Sequence, residues 1–544
     1  MLLRAHQVAR VYGDHTIFRQ LDLEVGAGDR LALIGANGSG KTTLLRLLAG
    51  LETPDAGQVT RQGRVSLLRQ HTEGADQTVL ETVTPPALLT AEAGFTRASN
   101  ALSEGHTDAA TLTTFADAEE RYRLAGGYDF AARAAAVLAG LALFPEANAA
   151  QLSGGQLRRV MLARLLLSPA DVYLLDEPTN HLDEDGARWL EDWILASDAA
   201  FVLASHDRAF LDRAATRVAE LERGTLSVYP GNYSAALALK ETLKEAQERD
   251  YAAYERKRAA LQEERGRLAS KSGTEENRRR ARDNDKFLSS FKAGRNQRVY
   301  ANRARAMQRQ IERLDEQAVS KPRTDRRTVR LDLPPVPPGP AEVLTVRALG
   351  VERGGKEVLS GVNLHVRRGD RIALTGPNGG GKSTLLAALL GELPHAGHAG
   401  EVQWGAGLTR YVAGQHGEEL VGFGTVGEAL LAANPALTPH QLWEVAAQVG
   451  LPGPAFSLVA LSGGGRTRLS LARLSVTRAQ VMILDEPTNH LDLPTILALE
   501  ALLLAFSGTV LLASHDRALL GKVATRVWEV GGGQVREAQG TVYP

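Results

Sequence analysis

Two acidic pairs offer chemistry: Asp176–Glu177 and Asp485–Glu486, each closing an apolar run, VYLLD in the first case and VMILD in the second. A carboxylate at the end of a buried strand can hold a divalent cation, and a second one beside it can take a proton from water. Each pair continues into PTNHLD, and a further apolar run then ends in Ser-His-Asp around His206 or His515. Upstream lie two glycine-rich segments, GANGSGKT from Gly35 to Thr42 and GPNGGGKS from Gly376 to Ser383. Glycines let backbone N–H groups approach phosphate oxygens, and the helix that follows adds its favourable dipole. Lys41 and Lys382 reach the terminal phosphates, while the hydroxyls of Thr42 and Ser383 can ligate Mg²⁺. Between glycine loop and carboxylates stand LSGGQ, Leu152 to Gln156, and LSGGG, Leu461 to Gly465, each opening a helical pattern. A serine hydroxyl with free N–H groups at a helix start also suits a phosphate.

The contiguous Ser205, His206 and Asp207 do not read as a hydrolytic triad, because successive strand residues point to opposite faces. Beside the other motifs, His206 reads instead as a neutral imidazole facing the γ-phosphate. Repetition decides the organisation. The glycine loops lie 341 residues apart, whereas the LSGG, carboxylate and histidine motifs all lie 309 apart, so the first copy holds 32 extra residues. Each copy needs strand, glycine loop, helix, then two more buried strands ending in acid and histidine. The expected fold is therefore α/β: two P-loop cassettes, each with a helical subdomain, joined by an α-helical hairpin. The boundaries expected are 1–239 for the first cassette, with an insertion at about 85–117, then 240–333 for the joining segment and 334–544 for the second. The run PPVPPGP, Pro334 to Pro340, reads as a stiff linker.

The joining segment is basic. From Lys240 to Arg330 there are 26 Lys or Arg against 15 Asp or Glu, a net of +11 in a chain whose formal total is zero. Tyr254, Leu261 and Leu268 recur at heptad spacing, and Ala301, Ala304, Met307, Ile311 and Leu314 at three or four residues, which predicts two antiparallel helices. A polar turn region is expected at roughly Lys271 to Gly294. Its tip carries Arg278, Arg279, Arg280, Arg282, Lys286, Lys292 and Arg295 with Phe287, Leu288 and Phe291, a composition suited to a phosphate-rich partner. The insertion at Pro85 to Asp117 has Arg97 as its only Lys or Arg, so it reads as a surface loop with a helix rather than a nucleic-acid-binding arm.

With 544 residues, 44% hydrophobic and 23% charged, the chain is large enough for several cores. It has no cysteine, which removes disulfides, thiolate zinc sites, cysteine nucleophiles and cysteine-ligated iron–sulfur clusters. The first residues show no apolar signal region, and the longest apolar stretch, Thr495 to Ala513, reads as a helix, a turn and a buried strand. No membrane domain is expected, and the expected compartment is the cytoplasm.

The two ordered motif sets resemble the ATP-binding cassette superfamily, and two cassettes in one chain with a charged helical segment between them resemble its F group. That resemblance covers nearly the whole chain and implies ATP and Mg²⁺ as cofactors. It implies cassettes that meet head to tail, so that two composite sites hydrolyse ATP. Lys41, Thr42, Asp176, Glu177 and His206 should face Ser462, and Lys382, Ser383, Asp485, Glu486 and His515 should face Ser153. The implied ATP contacts are Gly35, Asn37, Gly38, Ser39, Gly40, Lys41, Thr42 and Thr43 in one loop, with Gly376, Asn378, Gly379, Gly380, Gly381, Lys382, Ser383 and Thr384 in the other. Ser153, Gly154, Gly155 and Gln156, and Ser462, Gly463 and Gly464, complete them from the LSGG segments. Tyr12 matches the residue that stacks on adenine, and Gln70 and Gln415 match the glutamine that joins Thr42, Asp176, Ser383 and Asp485 at the metal. Glu177 and Glu486, with His206 and His515, are the implied catalytic residues.

Two positions depart from the family pattern: Gly465 replaces the usual polar residue, and Arg353 stands where Tyr12 stands in the first copy. Unequal sites are one consequence; an Arg stacking on the base is the other. Family resemblance implies a monomeric ribosome-associated translation factor whose hairpin lies near transfer RNA against ribosomal RNA, in some relatives protecting against antibiotics. The alternative is an ATPase of branched or damaged DNA, since a basic hairpin neutralises DNA phosphates equally well. A transporter subunit is disfavoured by the absent spans.

Overall fold

The computed structural model describes residues 1–68, 76–180, 182–279, 288–316, 321, 333–353, 355–393, 398–414, 420–489 and 491–538. They form two compact units, Met1–Ser234 together with Arg327–Pro544, and Ala235–Arg326. The first unit contains both cassettes.

Each cassette is built on a six-stranded sheet. In the first, the strands lie in the order Val65–Leu67, Val172–Asp176, Ala200–Ala204, Arg30–Ile34, Arg217–Glu222 and Thr225–Pro230, all parallel except the last. The second repeats this order with Arg410–Ala413, Val481–Asp485, Thr509–Ala513, Arg371–Thr375, Arg526–Gly531 and Gln534–Ala538. Every residue of Val172–Asp176 and of Ala200–Ala204 is buried, as the unbroken apolar runs of parallel strands covered on both faces require. A three-stranded antiparallel sheet, with Leu3–Tyr12 or Glu342–Arg353 at its centre, packs over each.

The helix after each glycine loop is held between the two sheets. In Lys41–Ala49 the side chains of Leu44, Leu45, Leu47 and Leu48 are fully buried in the same core as Leu3, Phe18, Leu31 and Val172. At about 1.5–3 kcal/mol for each such side chain, that core fixes where the glycine loop ends. Gly40 turns the chain into the helix at φ 104°, and a Cβ there would stand 2.3 Å from Ile17 Cγ2. Glycine is the residue that fits.

The insertion differs from the expected loop with one helix. It is two helices, Pro86–Ser103 and Ala109–Leu124, and the second cassette has only Pro439–Gln448 between the corresponding Val426–Ala433 and its LSGG helix. An aromatic cluster sews the pair to the next helix, Gly127–Gly140: Phe95 stacks on Tyr122 at 5.0 Å, and Tyr128 meets Tyr122 edge-on at 5.1 Å. Dispersed over 34 residues, these rings have no helical period to announce them.

In the second unit the helices Tyr233–Arg279 and Leu288–Glu316 form the expected antiparallel hairpin. Tyr254 and Arg258 both donate to Asp315 Oδ1, at 2.6 and 2.9 Å, and Arg265 donates to Gln308 further along. Ile311 is buried, and Tyr254, Leu261, Leu268, Ala301, Ala304, Met307 and Leu314 are all half-buried, so the periodicity marks the seam. The helices reach further than expected into the region assigned to the turn. Glu, Asn and Arg are tolerated in a long helix, and one internal glycine costs about 1 kcal/mol against a helix of that length. Arg278, Arg279, Leu288, Phe291, Lys292 and Arg295 thus lie within helices, while Arg280, Arg282, Lys286 and Phe287 lie outside the described residues. Thr495 to Ala513 is the end of the helix Leu493–Ala505, a turn and the strand Thr509–Ala513. No helix among the described residues is long and apolar enough to cross a membrane.

Candidate functional site

Both glycine loops end in helices that no side chain caps, which leaves the first N–H groups of Lys41–Ala49 and Lys382–Leu390 available to an anion. Lys41 Nζ donates to the carbonyls of Gly35 and Ala36 at 2.7 and 3.3 Å, and Lys382 Nζ repeats this with Gly376 and Pro377 at 2.8 and 3.2 Å. The ammonium groups therefore stand inside their own loops. Burial pushes both lysines below their ordinary range, against the nearby carboxylates Glu177, Asp176 and Asp492 in one case and Glu486, Asp183 and Asp485 in the other.

The carboxylates meet the loops at the strand ends. The Thr42 hydroxyl donates to Asp176 Oδ2 at 2.8 Å, which brings together two oxygens of the kind Mg²⁺ prefers. Glu177 and Glu486 each take φ 50°, and their N–H groups turn to the carbonyls of Ala204 and Ala513 at 2.7 and 2.8 Å. A left-handed backbone at a non-glycine residue costs energy, and here it recurs in both copies at the strand end that carries the acidic pair. Burial pushes the Glu177 carboxyl up to about 8, with Lys41 opposing and Asp176 reinforcing, and pushes that of Glu486 up to about 7. Oε1 of each is buried without a hydrogen-bond partner among the described residues. His206 Nε2 and His515 Nε2 stand 3.4 and 3.3 Å from those oxygens, an ion-pair distance too long or too bent for a hydrogen bond. Burial, reinforced by the charge of Lys41 or Lys382, lowers both histidines to about 4 and keeps them neutral at neutral pH.

A cavity of about 600 Å³ gathers the groups of the first cassette against a wall from the second; Lys382, Ser383, Asp485 and Glu486 are not among the residues lining it. Tyr12, Asn37, Gly38, Gly40, Lys41, Thr42, Thr43, Asp176, Glu177 and His206 line it from the first, and Thr488, Asn489, Leu491, His515, Asp516 and Arg517 from the second. Two reciprocal contacts that cross the interface at the glycine loops come from the last residue of each PTNHLD. Asn37 N–H donates to Asp492 Oδ2 at 3.0 Å, and Asn378 N–H to Asp183 Oδ2 at 3.3 Å. Each aspartate uses its other oxygen to cap its own helix, at Thr495 and Gly186. Sequence reasoning missed both residues as site members, although the 309-residue offset relates them.

Ser153 and Ser462 are not among the residues lining the cavity; each caps its own helix. Ser153 does so in a closed pair with Gln156, whose Oε1 takes the Ser153 hydroxyl at 2.9 Å, whereas the Ser462 hydroxyl receives the N–H of Gly465, at 3.2 Å, and Gly465 has no side chain to close the pair. Arg158 adds a further inequality that the sequence reading missed: it donates to the carbonyls of Asp176 and Glu177 at 3.3 and 3.4 Å, and the equivalent residue is Thr467. Tyr12 is exposed, with the Arg10 guanidinium 4.6 Å from its ring centre; Arg353 sits exposed at the matching hairpin end. Gln70 and Gln415 lie outside the described residues.

A protein-family model described as ABC transporter matches residues 18–180 and 359–489, and a second of the same description matches 219–284. The chain is 32% identical to the putative ATP-binding protein YdiF of Bacillus subtilis, over 99% of this chain and 82% of that protein. It is 33% identical to the tylosin resistance ATP-binding protein TlrC of Streptomyces fradiae, over 99% and 98%. Among solved structures, an archaeal ribosome recycling factor in complex with the ribosomal stalk protein aP1 superposes with TM-score 0.60 at 19% identity, over 98% of this chain and 89% of that one. That likeness is one of fold.

Proposed function

The chain belongs to the F group of the ATP-binding cassette superfamily, and from that premise we propose that it is an ATPase with two composite sites whose closure positions a basic helical hairpin on the ribosome near transfer RNA. The observation that carries the two-site reading is the reciprocal pair Asn37–Asp492 and Asn378–Asp183, which sets each glycine loop against the other cassette. Residues fit ATP and Mg²⁺: uncapped helix starts for the phosphates, the Thr42–Asp176 oxygens for the cation, and buried carboxyl oxygens at the water position. Glu177 and Glu486 accept the proton of the attacking water. His206 and His515, neutral, face the γ-phosphate, and Lys41 and Lys382 leave their loop carbonyls to take its charge. Thr42 and Asp176 would hold Mg²⁺, which would supply positive charge against the phosphates.

The ribosomal part of the proposal rests on the net +11 of Lys240 to Arg330 and on the kinship with TlrC, whose name records resistance to tylosin. Protection of the ribosome from an antibiotic is the role proposed. Co-sedimentation of the Glu177→Gln, Glu486→Gln double variant with purified ribosomes, with and without ATP across a salt series, tests it. ATP-dependent binding that weakens when Arg278, Arg279, Arg280 and Arg282 are neutralised is expected. ATP binding without ribosome binding refutes the ribosomal reading and directs the same assay to branched DNA.

A further inference from the structure

Two residues beyond each histidine stands an arginine that the ATPase reading leaves unused. Arg208 and Arg517 are related by the same 309 residues as the site motifs, and so are Glu191 and Glu500 on the helices Glu184–Ala196 and Leu493–Ala505. The pairs cross between cassettes. Arg208 Nη1 donates to Glu500 Oε2 at 2.6 Å, and Arg517 donates to Glu191. Glu191, Glu500 and Arg208 are buried. Each glutamate also binds a cation of its own cassette, Arg213 at 2.8 Å and Lys522 at 2.7 Å, which are again 309 residues apart. Arg208 Nη2 stands 3.5 Å from Asp516 Oδ2, and Arg517 faces Asp207 in the mirrored position. Four carboxylates thus meet four cations about the interface.

The path from histidine to arginine is stiff. Asp207 N–H donates to Ser205 Oγ at 3.1 Å, the Asp207 carboxylate caps Phe210 N–H at 3.0 Å, and Arg208 begins the helix Arg208–Ala214. The second cassette repeats each step through Ser514, Asp516 and Leu519. A shift of Glu500 relative to the first cassette is therefore felt at His206 through two residues of fixed backbone. An apolar contact of similar volume holds an interface as well as a buried ion pair does, but it carries no directional register. The Arg208 guanidinium does, because it reaches two carboxylates of the other cassette in different directions, Glu500 by a hydrogen bond and Asp516 by an ion pair.

We propose that Arg208 and Arg517 are positioning residues of the ATPase reaction: each ties the segment bearing one cassette's phosphate-facing histidine to the other cassette, so that the histidine is in place only when the cassettes are paired. This rests on the ATPase reading of the site. The test is steady-state ATPase turnover and binding of a fluorescent ATP analogue for Arg208→Gln, Glu500→Gln, the double variant and the conservative Arg208→Lys. A parent chain that hydrolyses no ATP fails the underlying ATPase reading, and this proposal falls with it. Given activity, the single variants are expected to lower kcat at least tenfold with analogue affinity changed less than threefold, the double variant to lose no more than about threefold beyond the worse single because the two residues act as one contact, and Arg208→Lys to keep more turnover than Arg208→Gln. Unchanged kcat in the singles, equal losses in kcat and affinity, or losses that multiply in a folded double variant overturn the proposal.

Discussion

The left-handed backbone of Glu177 and Glu486 can be weighed by comparing two substitutions that both delete the carboxylate. At φ 50° a Cβ crowds the following carbonyl, at a cost of about 1–2 kcal/mol, and glycine alone escapes it. Glu177→Ala retains that Cβ; Glu177→Gly does not. Against the gain stands the extra entropy of glycine in the unfolded chain, about 0.4–1 kcal/mol. The net expectation is a glycine variant more stable than the alanine variant by up to about 1.6 kcal/mol, and by about 0.8 kcal/mol at the middle of both ranges. At an ordinary helix or strand position the order is the reverse, with glycine lower by about 0.5–1 kcal/mol. Differential scanning fluorimetry without nucleotide reads the difference as a rise of about 2–4 °C in the transition of the affected cassette. Both variants lack the proposed base, so residual turnover does not confuse the comparison. The pair Glu486→Ala and Glu486→Gly repeats the measurement in the same molecule. An alanine variant at either position that melts at or above its glycine counterpart refutes the argument that strain is stored there.

Gly376→Ala is expected to abolish binding of a fluorescent ATP analogue, because φ is 132° and the added Cβ would lie 2.1 Å from the carbonyl oxygen of Val530; retained affinity contradicts this. Acid should weaken the paired cassettes. Burial pushes the Glu500 carboxyl up, but hydrogen bonds from Lys522 and Arg208 outweigh it and hold the group below its usual 4.5. Its contribution is therefore present above the unfolded value and lost as pH falls through the lower folded one, so the melting temperature of Glu500→Gln should vary less with pH below about 4.5 than that of the parent chain.

Much of this architecture was legible because it is local. The glycine loop, the acid-ended strand and the capped LSGG helix each need a short run of residues, and the seam of Tyr254, Leu261, Ile311 and Leu314 needs only a period. The aromatic cluster of Phe95, Phe115, Tyr122 and Tyr128 was not legible, since its members meet only after three helices have folded together. Nor was the cross-cassette geometry. Asn37 and Asp492 are 455 residues apart, and no local pattern links them. The repeat did hold a clue: a residue type kept at the 309-residue offset outside the known motifs, as with Arg208 and Arg517 or Glu191 and Glu500, marks a position shared by both halves. The departures at Gly465 and Arg353 show in the letters, but that Gln156 occupies the Ser153 hydroxyl, as Gly465 cannot for Ser462, is a fact of side-chain geometry.

The reciprocal ion pairs also bear on assembly. A first cassette alone already carries both members of the contact, Arg208 and Glu191, and a second alone carries Arg517 and Glu500. Each half is self-complementary in the sense of an isologous dimer, able in principle to pair with its own copy about a two-fold axis. Joining them in one chain makes the unlike pairing intramolecular, and the tether's local concentration sets it against every encounter between separate chains. A chain cut within the hairpin would lose that bias, and its halves would sort among three dimers instead of one.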